Sequence, residues 1–280
     1  MKIVVVGTRG IPDIQGGVET HCEELYPRLA AMGHDVTVVR RSCYITPQNK
    51  IKEYKGVHLK DIYAPRRKSI EAIVHTFLAI IYARWVGADV LHIHAIGPAL
   101  LTPLARLLGL RVVMTHHGPD YDRQKWNKTA KSVLRWGERM GANYANEVIV
   151  ISTVIDNILR EKYDRTDAHL IYNGVNKPVP AKDDSYIRSL GLTPRRYVLA
   201  VGRFVEEKGF DLLIKAFARI SDSNCKLVIA GDADHEDQYS STLKDIAQKQ
   251  GVILTGFIQK DKLSQLYSFA RLFVLPSYHE

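Results

Sequence analysis

Two groups of histidines stand where ligands often bind in proteins that alternate strands and helices. They are His92-Ile93-His94 and Thr115-His116-His117-Gly118, and each falls at the end of a predicted strand. Open α/β sheets bind ligands outside the carboxyl ends of their strands. Four converging imidazoles could suggest a metal, but they have no spacing diagnostic of zinc. We therefore expect His117, beside a glycine, to hydrogen bond to a ligand, whereas His92 and His116 could equally be buried structural residues.

A second candidate site combines two cations in one loop. Gly202-Arg203-Phe204 follows a predicted strand, and Lys208-Gly209 comes shortly after it. The planar fork of an arginine binds phosphate oxygens in pairs and a lysine adds a point charge, so together they can neutralise a diphosphate. The same pair would stabilise charge that develops on a phosphate leaving group. A solvated loop is the alternative, but the position after a strand favours a ligand.

Glycines fill the loop between the first predicted strand and the first helix. Gly7-Thr8-Arg9-Gly10 and Gly16-Gly17 would let a phosphate or a sugar approach the backbone at a helix N-terminus. The dinucleotide fingerprint G-x-G-x-x-G cannot be laid over them. The next strand ends in Arg40-Arg41, not in an acid that could hold a ribose. Arginines there could bind a 2′-phosphate, which leaves an NADP-dependent oxidoreductase as an alternative.

Two further patterns bear on metals and on redox compartment. Asp232-Ala233-Asp234 has the D-x-D form that holds a divalent cation in some enzymes, but it lies among other acids and we interpret it as a solvated loop. We expect no metal. The three cysteines are far apart and form no C-x-x-C pair, which favours free thiols in a reducing compartment and a cytoplasmic protein.

Strand and helix patterns alternate along the whole chain and predict two α/β domains with doubly wound parallel sheets, over 1–177 and 178–280. The predicted strands of the first are 3–7, 36–39, 88–94, 111–115 and 147–152, and its helices are 18–32, 99–108 and 128–145. After a proline-containing linker at 176–184, the predicted strands are 197–201, 226–230, 252–254 and 272–275, and the helices are 209–220, 239–249 and 262–269. A doubly wound domain normally has more elements, so we expect the second domain to be incomplete.

The net charge of +9 is concentrated in the first half of the chain. Residues 1–140 contain 21 basic and 12 acidic residues, whereas the remainder contains 18 of each. A basic face attracts phosphorylated substrates or anionic headgroups, although a merely solvated surface is the alternative. The apolar segment 70–86 is interrupted by charge and too short to span a bilayer. We expect it to form a core helix, while Arg66-Arg67-Lys68 before it keeps an interfacial role open.

In their order and spacing, these motifs resemble the large retaining glycosyltransferase family with the GT-B fold, family 4 or "glycosyl transferases group 1". The matching segments are Gly16-Gly17-Val18-Glu19, Thr115-His116-His117-Gly118, Asn173-Gly174-Val175, Val201-Gly202-Arg203 with Lys208-Gly209, Ala230-Gly231-Asp232, Thr255-Gly256-Phe257 and Pro276-Ser277-Tyr278-His279-Glu280. The opening Gly7-Thr8-Arg9-Gly10-Ile11-Pro12 is similar to a rhamnosyltransferase subgroup. The resemblance implies two Rossmann-like domains that face a cleft, a UDP- or GDP-sugar donor and no metal cofactor.

The resemblance also implies roles for individual residues. His117, Arg203, Lys208 and Glu280 would form the catalytic set, in which Arg203 and Lys208 hold the donor diphosphate, His117 contacts the donor sugar and Glu280 contacts its hydroxyls. The remaining donor-binding positions would be Gly16, Gly17, Asn173, Gly202 and Ile258. The second glutamate of the family's paired motif would lie beyond Glu280, which puts the activity of the 280-residue chain in doubt.

The implied activity is transfer of a sugar, with retention, to a saccharide or lipid-linked acceptor in the synthesis of cell-surface polysaccharide or glycolipid. No carboxylate is an obvious nucleophile, so the resemblance implies front-face attack assisted by the leaving diphosphate. The basic first half would suit a peripheral position at the inner membrane surface, and we expect no nucleic-acid partner. The alternatives are the oxidoreductase, a sugar-nucleotide epimerase or phosphorylase, and an inactive sugar-nucleotide-binding fragment.

Overall fold

The chain forms two compact units, Met1–Val175 and Asn176–Glu280, each built on its own sheet. A computed structural model describes residues 1–67, 70–122, 127–220, 224–233, 236–258 and 260–278. In both units the sheet is parallel, apart from one edge pair in the first. The predicted α/β class with two Rossmann-like sheets is therefore confirmed.

The described residues of the first unit form an eight-stranded sheet flanked by six α-helices. Its strands are β1 Lys2–Val6, β2 Asp35–Arg41, β3 Glu53–Tyr54, β4 Val57–Ile62, β5 Val90–His94, β6 Val112–His116, β7 Glu147–Val150 and β8 His169–Leu170. Its helices are α1 Gly17–Ala31, α2 Glu71–Trp85, α3 Ile96–Ala99, α4 Thr102–Leu107, α5 Lys128–Tyr144 and α6 Thr153–Tyr163. The strand order is β3-β4-β2-β1-β5-β6-β7-β8, so the direction of winding reverses between β1 and β5. That reversal is the place where α/β sheets bind ligands.

Strand β1 shows why a continuous apolar run forms the centre of this sheet. Val4 and Val6 pack into the core on the α2 side, whereas Ile3 and Val5 pack into the core on the α1 side. A strand covered on both faces has no need of polar alternation. The buried β1 thus fixes β2 and β5 beside it in parallel register.

The second unit has a four-stranded parallel sheet in the order β11-β10-β9-β12. Its elements are α7 Ser185–Ser189, β9 Tyr197–Val201, α8 Phe210–Phe217, β10 Lys226–Ala230, α9 Gln238–Lys249, β11 Ile253–Leu254, α10 Lys260–Phe269 and β12 Leu272–Phe273. Apolar clusters cover both faces of the sheet, with Phe204 and Phe210 on one side and Tyr197 and Leu266 on the other.

Several local predictions need correction. The helix expected at 99–108 is two helices, α3 and α4, because Pro98 and Pro103 each fall in a first turn, where no amide hydrogen is needed. The segment Asn173-Gly174-Val175, whose Asn-Gly pair is typical of a turn, forms none, since 172–180 are exposed and irregular. The hairpin β3–β4 and the helices α6 and α7 were not predicted.

Helix α2 is only partly a core helix. Ala79, Ile80 and Ala83 are buried in the sheet-facing core, but Phe77 is 46% exposed and Trp85 is 81% exposed. No helix in the described part of the chain is both long and apolar enough to cross a bilayer.

Candidate functional site

Side-chain alternation along β5 and β6 sorts the histidines onto the two faces of the first sheet. Successive residues of a strand point to opposite faces, and His94 is paired in register with Thr115. His92, His94, Thr115 and His117 therefore share the α1 face, where Tyr26 meets them. The four histidines do not all converge, because His116 points to the other face, where it meets Glu138.

The side chains on the α1 face form one unbroken chain of hydrogen bonds, which we call the histidine relay: Thr115, His92, Tyr26, His94 and His117. Thr115 Oγ1 lies 2.7 Å from His92 Nε2, and His92 Nδ1 lies 2.9 Å from the Tyr26 hydroxyl. The same hydroxyl bonds to His94 Nε2. His94 Nδ1 then lies 2.8 Å from His117 Nε2. All members are buried except His117, which is partly exposed at the end of the relay.

The imidazoles of the relay are neutral at physiological pH. Burial lowers the pKa of His92 and of His117 to about 3, with the charge of His21 acting in the same direction. Burial and its histidine neighbours depress the pKa of His94 well below the ordinary value. His21 packs edge-on against His117 with ring centres 5.4 Å apart, and burial lowers its pKa as well. A neutral imidazole at the exposed end of the relay can form a hydrogen bond with a sugar without adding charge.

His116 belongs to a separate network on the opposite face of the sheet. Its Nε2 lies 2.8 Å from Glu138 Oε1, and Tyr163 donates to Glu138 Oε2 at 2.7 Å. Tyr121 also donates to this carboxylate and accepts from Lys162 at 3.0 Å. Burial opposes ionisation of Glu138, but the bonds from His116 and Tyr163 outweigh it and hold its pKa below the ordinary value. His116 is thus a satisfied structural histidine, one of the two possibilities left open by the sequence.

The glycine loop before α1 is organised by the buried Glu19. Its Oε1 accepts a hydrogen bond from Thr8 Oγ1 at 3.1 Å and from the Arg9 amide at 2.9 Å. Gly16 has φ 151°, and a Cβ there would overlap Glu19 Oε2. Gly17 begins α1 and is exposed, and a Cβ on it meets no described atom within 4 Å. The loop therefore presents a helix N-terminus beside open space.

Arg40 and Arg41 are engaged inside the first unit. Arg40 is fully buried and donates to Asp61 Oδ1 at 2.7 Å and to the Asn49 carbonyl at 2.8 Å. Arg41 donates to Glu71 Oε1 at 2.8 Å. Neither guanidinium is placed for a 2′-phosphate. The Arg40-Arg41 pair, which suggested an NADP-dependent oxidoreductase, is explained instead by these ion pairs within the first unit.

In the second unit, Arg203 and Lys208 lie in the loop from β9 to α8, at the carboxyl end of the sheet. A Cβ on Gly202 would be 3.7 Å from Lys208 Cδ, so the lysine stem folds back over the strand end. The segment after β12 runs alongside, because the Tyr278 amide donates to the Glu207 carbonyl at 2.9 Å. Two cationic side chains are thus held on one loop at the sheet edge.

Close backbone contacts shape the neighbouring strand ends. Gly231 has φ 136°, and a Cβ there would overlap the Gly202 carbonyl oxygen. Its amide donates to the Gly256 carbonyl at 2.9 Å. Next to them is a cavity of about 380 Å³ whose lining includes Phe204, Gly231, Asp232, Lys244 and Gly256. Lys244 pairs with Asp232 at 3.1 Å, so this acid is an ion-pair partner as well as a loop residue.

The other predicted donor-binding residues have varied surroundings. Asn173 is exposed in the irregular segment after β8. Ile258 is partly buried and packs against the core of the second unit. Glu280 lies outside the described residues, as does Asp234 of the D-x-D pattern. Within the described residues, no group of three or more potential ligands is arranged to hold a metal ion.

Sequence reasoning missed Tyr26 and Glu138, the central residues of the two networks. Tyr26 sits inside an apolar helix pattern and Glu138 inside a helix rich in charge, and neither belongs to a recognisable motif. Their signal was indirect: the closely spaced histidines of β5 and of the end of β6 need hydrogen-bond partners wherever the fold buries them.

The sequence profile described as "Glycosyltransferase Family 4" matches residues 15–177, which is more than half of the chain. A second profile, "Glycosyl transferases group 1", matches residues 183–280. This chain belongs to the glycosyltransferases of family 4. The glycosyltransferase thus carries a family-4 first unit and a group-1 second unit in the order that its motifs predict.

Curated relatives support the same assignment. An uncharacterised glycosyltransferase of Methanocaldococcus jannaschii is 26% identical over all of this chain and 75% of its own length. Alpha-maltose-1-phosphate synthase of Mycobacterium tuberculosis is 27% identical with the same coverage. The relatives place the glycosyltransferase among enzymes of the EC 2.4 type.

Solved structures share its GT-B fold. Sucrose-phosphate synthase from Thermosynechococcus elongatus superposes with a TM-score of 0.80 at 23% identity, covering all of this chain and 76% of the other. Anabaena HepE in complex with UDP-glucose superposes with a TM-score of 0.74 at 18% identity, covering 98% of this chain and 73% of the other. At these identities the likeness concerns the fold.

Proposed function

We propose that the glycosyltransferase moves a sugar, with retention, from a nucleoside-diphosphate sugar to a saccharide or lipid-linked acceptor in the synthesis of cell-surface glycans. The observation that carries the donor class is the loop holding Arg203 and Lys208 at the carboxyl end of β9. Two cations there can neutralise a diphosphate in the ground state and stabilise it as a leaving group. HepE, which shares the fold, binds UDP and UDP-glucose. We propose that the nucleotide of the donor is UDP or GDP, with rhamnose as one candidate for its sugar.

The buried acids of the first unit support a reaction without a protein nucleophile. Within the described residues, Glu19, Glu71 and Glu138 are its buried carboxylates, and each already bonds to protein groups. Retaining glycosidases instead keep two acids facing the sugar. We propose that the acceptor hydroxyl oxygen attacks the anomeric carbon on the face from which the diphosphate leaves. The carbon–oxygen bond to the diphosphate breaks, and a phosphate oxygen takes the hydroxyl proton.

His117 is the residue we propose to contact the donor sugar. It ends the histidine relay, is partly exposed and is held neutral by burial. A neutral imidazole can form a hydrogen bond with a sugar hydroxyl without adding charge beside the reacting carbon. Gly17 adds open space at the neighbouring helix N-terminus, which suits a phosphate or sugar oxygen.

Calorimetric titration of UDP, GDP and NADP into the 280-residue protein tests the donor proposal. We expect one nucleoside diphosphate to bind and Arg203→Ala to weaken it roughly tenfold to a hundredfold, the value of one or two charge-assisted hydrogen bonds. Arg219→Ala is the matched control, since Arg219 is exposed in the same unit. Binding should persist in EDTA, because the protein's own cations neutralise the diphosphate. Binding of NADP alone, or equal affinity in Arg203→Ala, would contradict the proposal.

We further propose that the enzyme works in the cytoplasm at an anionic membrane surface. Exposed apolar side chains recur at helical spacing on α2 and on the residue that precedes it. They are Ile70, Phe77, Ile81 and Trp85, each at least 40% exposed. Exposed Arg66 and Arg67 precede the helix; Lys68, the third member of that basic cluster, lies outside the described residues. An apolar stripe flanked by arginines suits the boundary between headgroups and acyl chains.

A further inference from the structure

The histidine relay can carry its protons in only two arrangements. Each of its four hydrogen bonds needs one proton, a neutral imidazole has one N–H and one lone pair, and the Tyr26 hydroxyl has a single hydrogen. The three inner members, His92, Tyr26 and His94, each bond to a neighbour on both sides. The donors must therefore all point towards His117 or all point towards Thr115. A change of direction at one bond requires a change at every other bond.

The Thr115 end selects between the two directions. Within the described part of the chain, His92 Nε2 is the hydrogen-bond partner that the structure gives to Thr115 Oγ1, and Thr115 is only 2% exposed. If Thr115 accepted from His92, its own hydroxyl proton would be buried without an acceptor, which costs free energy. If Thr115 donates, every buried proton of the relay is satisfied. The favoured direction therefore runs from Thr115 to His117.

That direction determines the tautomer of His117. Thr115 donates to His92, His92 Nδ1–H donates to Tyr26, and the Tyr26 hydroxyl donates to His94 Nε2. His94 Nδ1–H then donates to His117 Nε2, so the proton of His117 resides on Nδ1. The outer nitrogen of the relay is consequently a hydrogen-bond donor, which can pair with an oxygen acceptor of a ligand.

We propose that Tyr26 is a positioning residue that, through His94, holds His117 as its Nδ1–H tautomer. His117 then donates a hydrogen bond to an oxygen of the sugar in the sugar nucleotide. The sugar contact rests on the proposed function, whereas the tautomer does not. The low pKa values of His92 and His117, about 3, support the inference because an added proton would break the one-way order. Tyr26 lies on α1, whose first turn carries Gly17 and Glu19, so the relay also connects the glycine loop to His117.

Nitrogen NMR of the side chains in histidine-labelled protein at pH 7 tests this proposal directly. We expect His117, assigned from the signals lost in His117→Gln, to show a protonated Nδ1 and an unprotonated Nε2. Tyr26→Phe keeps the ring but removes the hydroxyl, so His94 and His117 should become mixtures of tautomers. Tyr121→Phe is the matched control, since Tyr121 is a buried tyrosine of the other network, and it should leave the His117 signals unchanged.

A protonated Nε2 on His117 in the unmodified protein would overturn the proposal, as would an unchanged His117 tautomer in Tyr26→Phe. In the transfer reaction, Tyr26→Phe should lower kcat roughly threefold to tenfold, the value of one neutral hydrogen bond, with little change in the KM for the donor. The expected NMR result without transfer from any sugar nucleotide would contradict the proposed function and leave the relay standing.

Discussion

Arg40 and Arg41 show how a buried salt bridge can imitate a binding motif at the level of single residues. Their position at the end of the second strand matches that of 2′-phosphate-binding arginines, yet Arg40 pairs with Asp61 and Arg41 with the buried Glu71. The sequence contains both acids but gives no sign of which arginine meets which acid. Strand-end position can be predicted from sequence, whereas the partner of a buried charge depends on elements brought together by folding.

His75 gives a pH-dependence prediction at the same scale. It is fully buried on α2, and burial, followed by the charge of Arg41, lowers its pKa to about 4. In the unfolded chain the same histidine binds a proton near pH 6.5. The contribution of neutral His75 to the free energy of unfolding is therefore fully present above pH 6.5 and is lost as the pH falls towards 4. The slope for one such group is about 1.4 kcal/mol per pH unit.

Replacing His75 by leucine should therefore reduce the acid sensitivity of folding. We expect the loss of unfolding free energy between pH 6.5 and 4 to shrink by up to about 3 kcal/mol in His75→Leu, measured by urea denaturation across that range. His58→Leu changes an exposed histidine (61% exposed side chain) and serves as the control. Parallel pH profiles for His75→Leu and the unmodified protein would refute the prediction.

The elements of the second unit are held together at strand ends where no side chain fits. Gly231→Ala places a methyl group on the Gly202 carbonyl at a φ that side chains rarely adopt. Gly251 also has a positive φ, 66° against 136° for Gly231, but the Cβ of Gly251→Ala enters open space. Gly231→Ala therefore combines a steric overlap with a strained φ, whereas Gly251→Ala has backbone strain alone.

We expect Gly251→Ala to cost about 1 kcal/mol. Gly231→Ala should cost at least about 2 kcal/mol more, because the backbone of two strands must move. Chemical denaturation with a probe in the second unit measures both values. If the two variants are equally stable, the strand ends are looser than the structure indicates.

Element prediction succeeded where apolar patterns were strong and failed where they were weak. The ranges of β9 and β10 were predicted to the residue because both strands are buried on both sides. Strand β4 alternates and is largely exposed, and α6 buries only Ile155 and Leu159. Such elements are stabilised by their neighbours, which periodicity along one segment does not record.

The same limit applies to the candidate site. Sequence placed His117 and Arg203 at strand ends, because strand ends can be located from patterns. It left the role of His116 open, because that role depends on Glu138, a partner that only the packing of α5 against β6 brings to it.

For the molecule as a whole, charge is the property with the clearest consequence. The excess of basic residues in 1–140 and the exposed face of α2 occur in the same unit. Together they predict binding to vesicles that contain anionic lipid and weaker binding at high salt.

Reversing the charge of Arg66, Arg67 and Lys68 to glutamate should weaken that binding by roughly a hundredfold, at about 1 kcal/mol per basic residue. Vesicle co-sedimentation at two salt concentrations measures it. Lys177, Lys182 and Lys249 are exposed in the second unit, and their reversal to glutamate is the matched control. Equal loss in both triple variants would indicate only a net-charge effect.

The division of Thr115, His116 and His117 between two faces of one strand also limits how this enzyme can change over evolution. Substitutions on either face can accumulate separately, since each network meets a different helix. A single-residue insertion or deletion in β6 would exchange the two sets of partners at once. Homologues that keep both networks should therefore keep the length of this strand constant, even where its other residues differ.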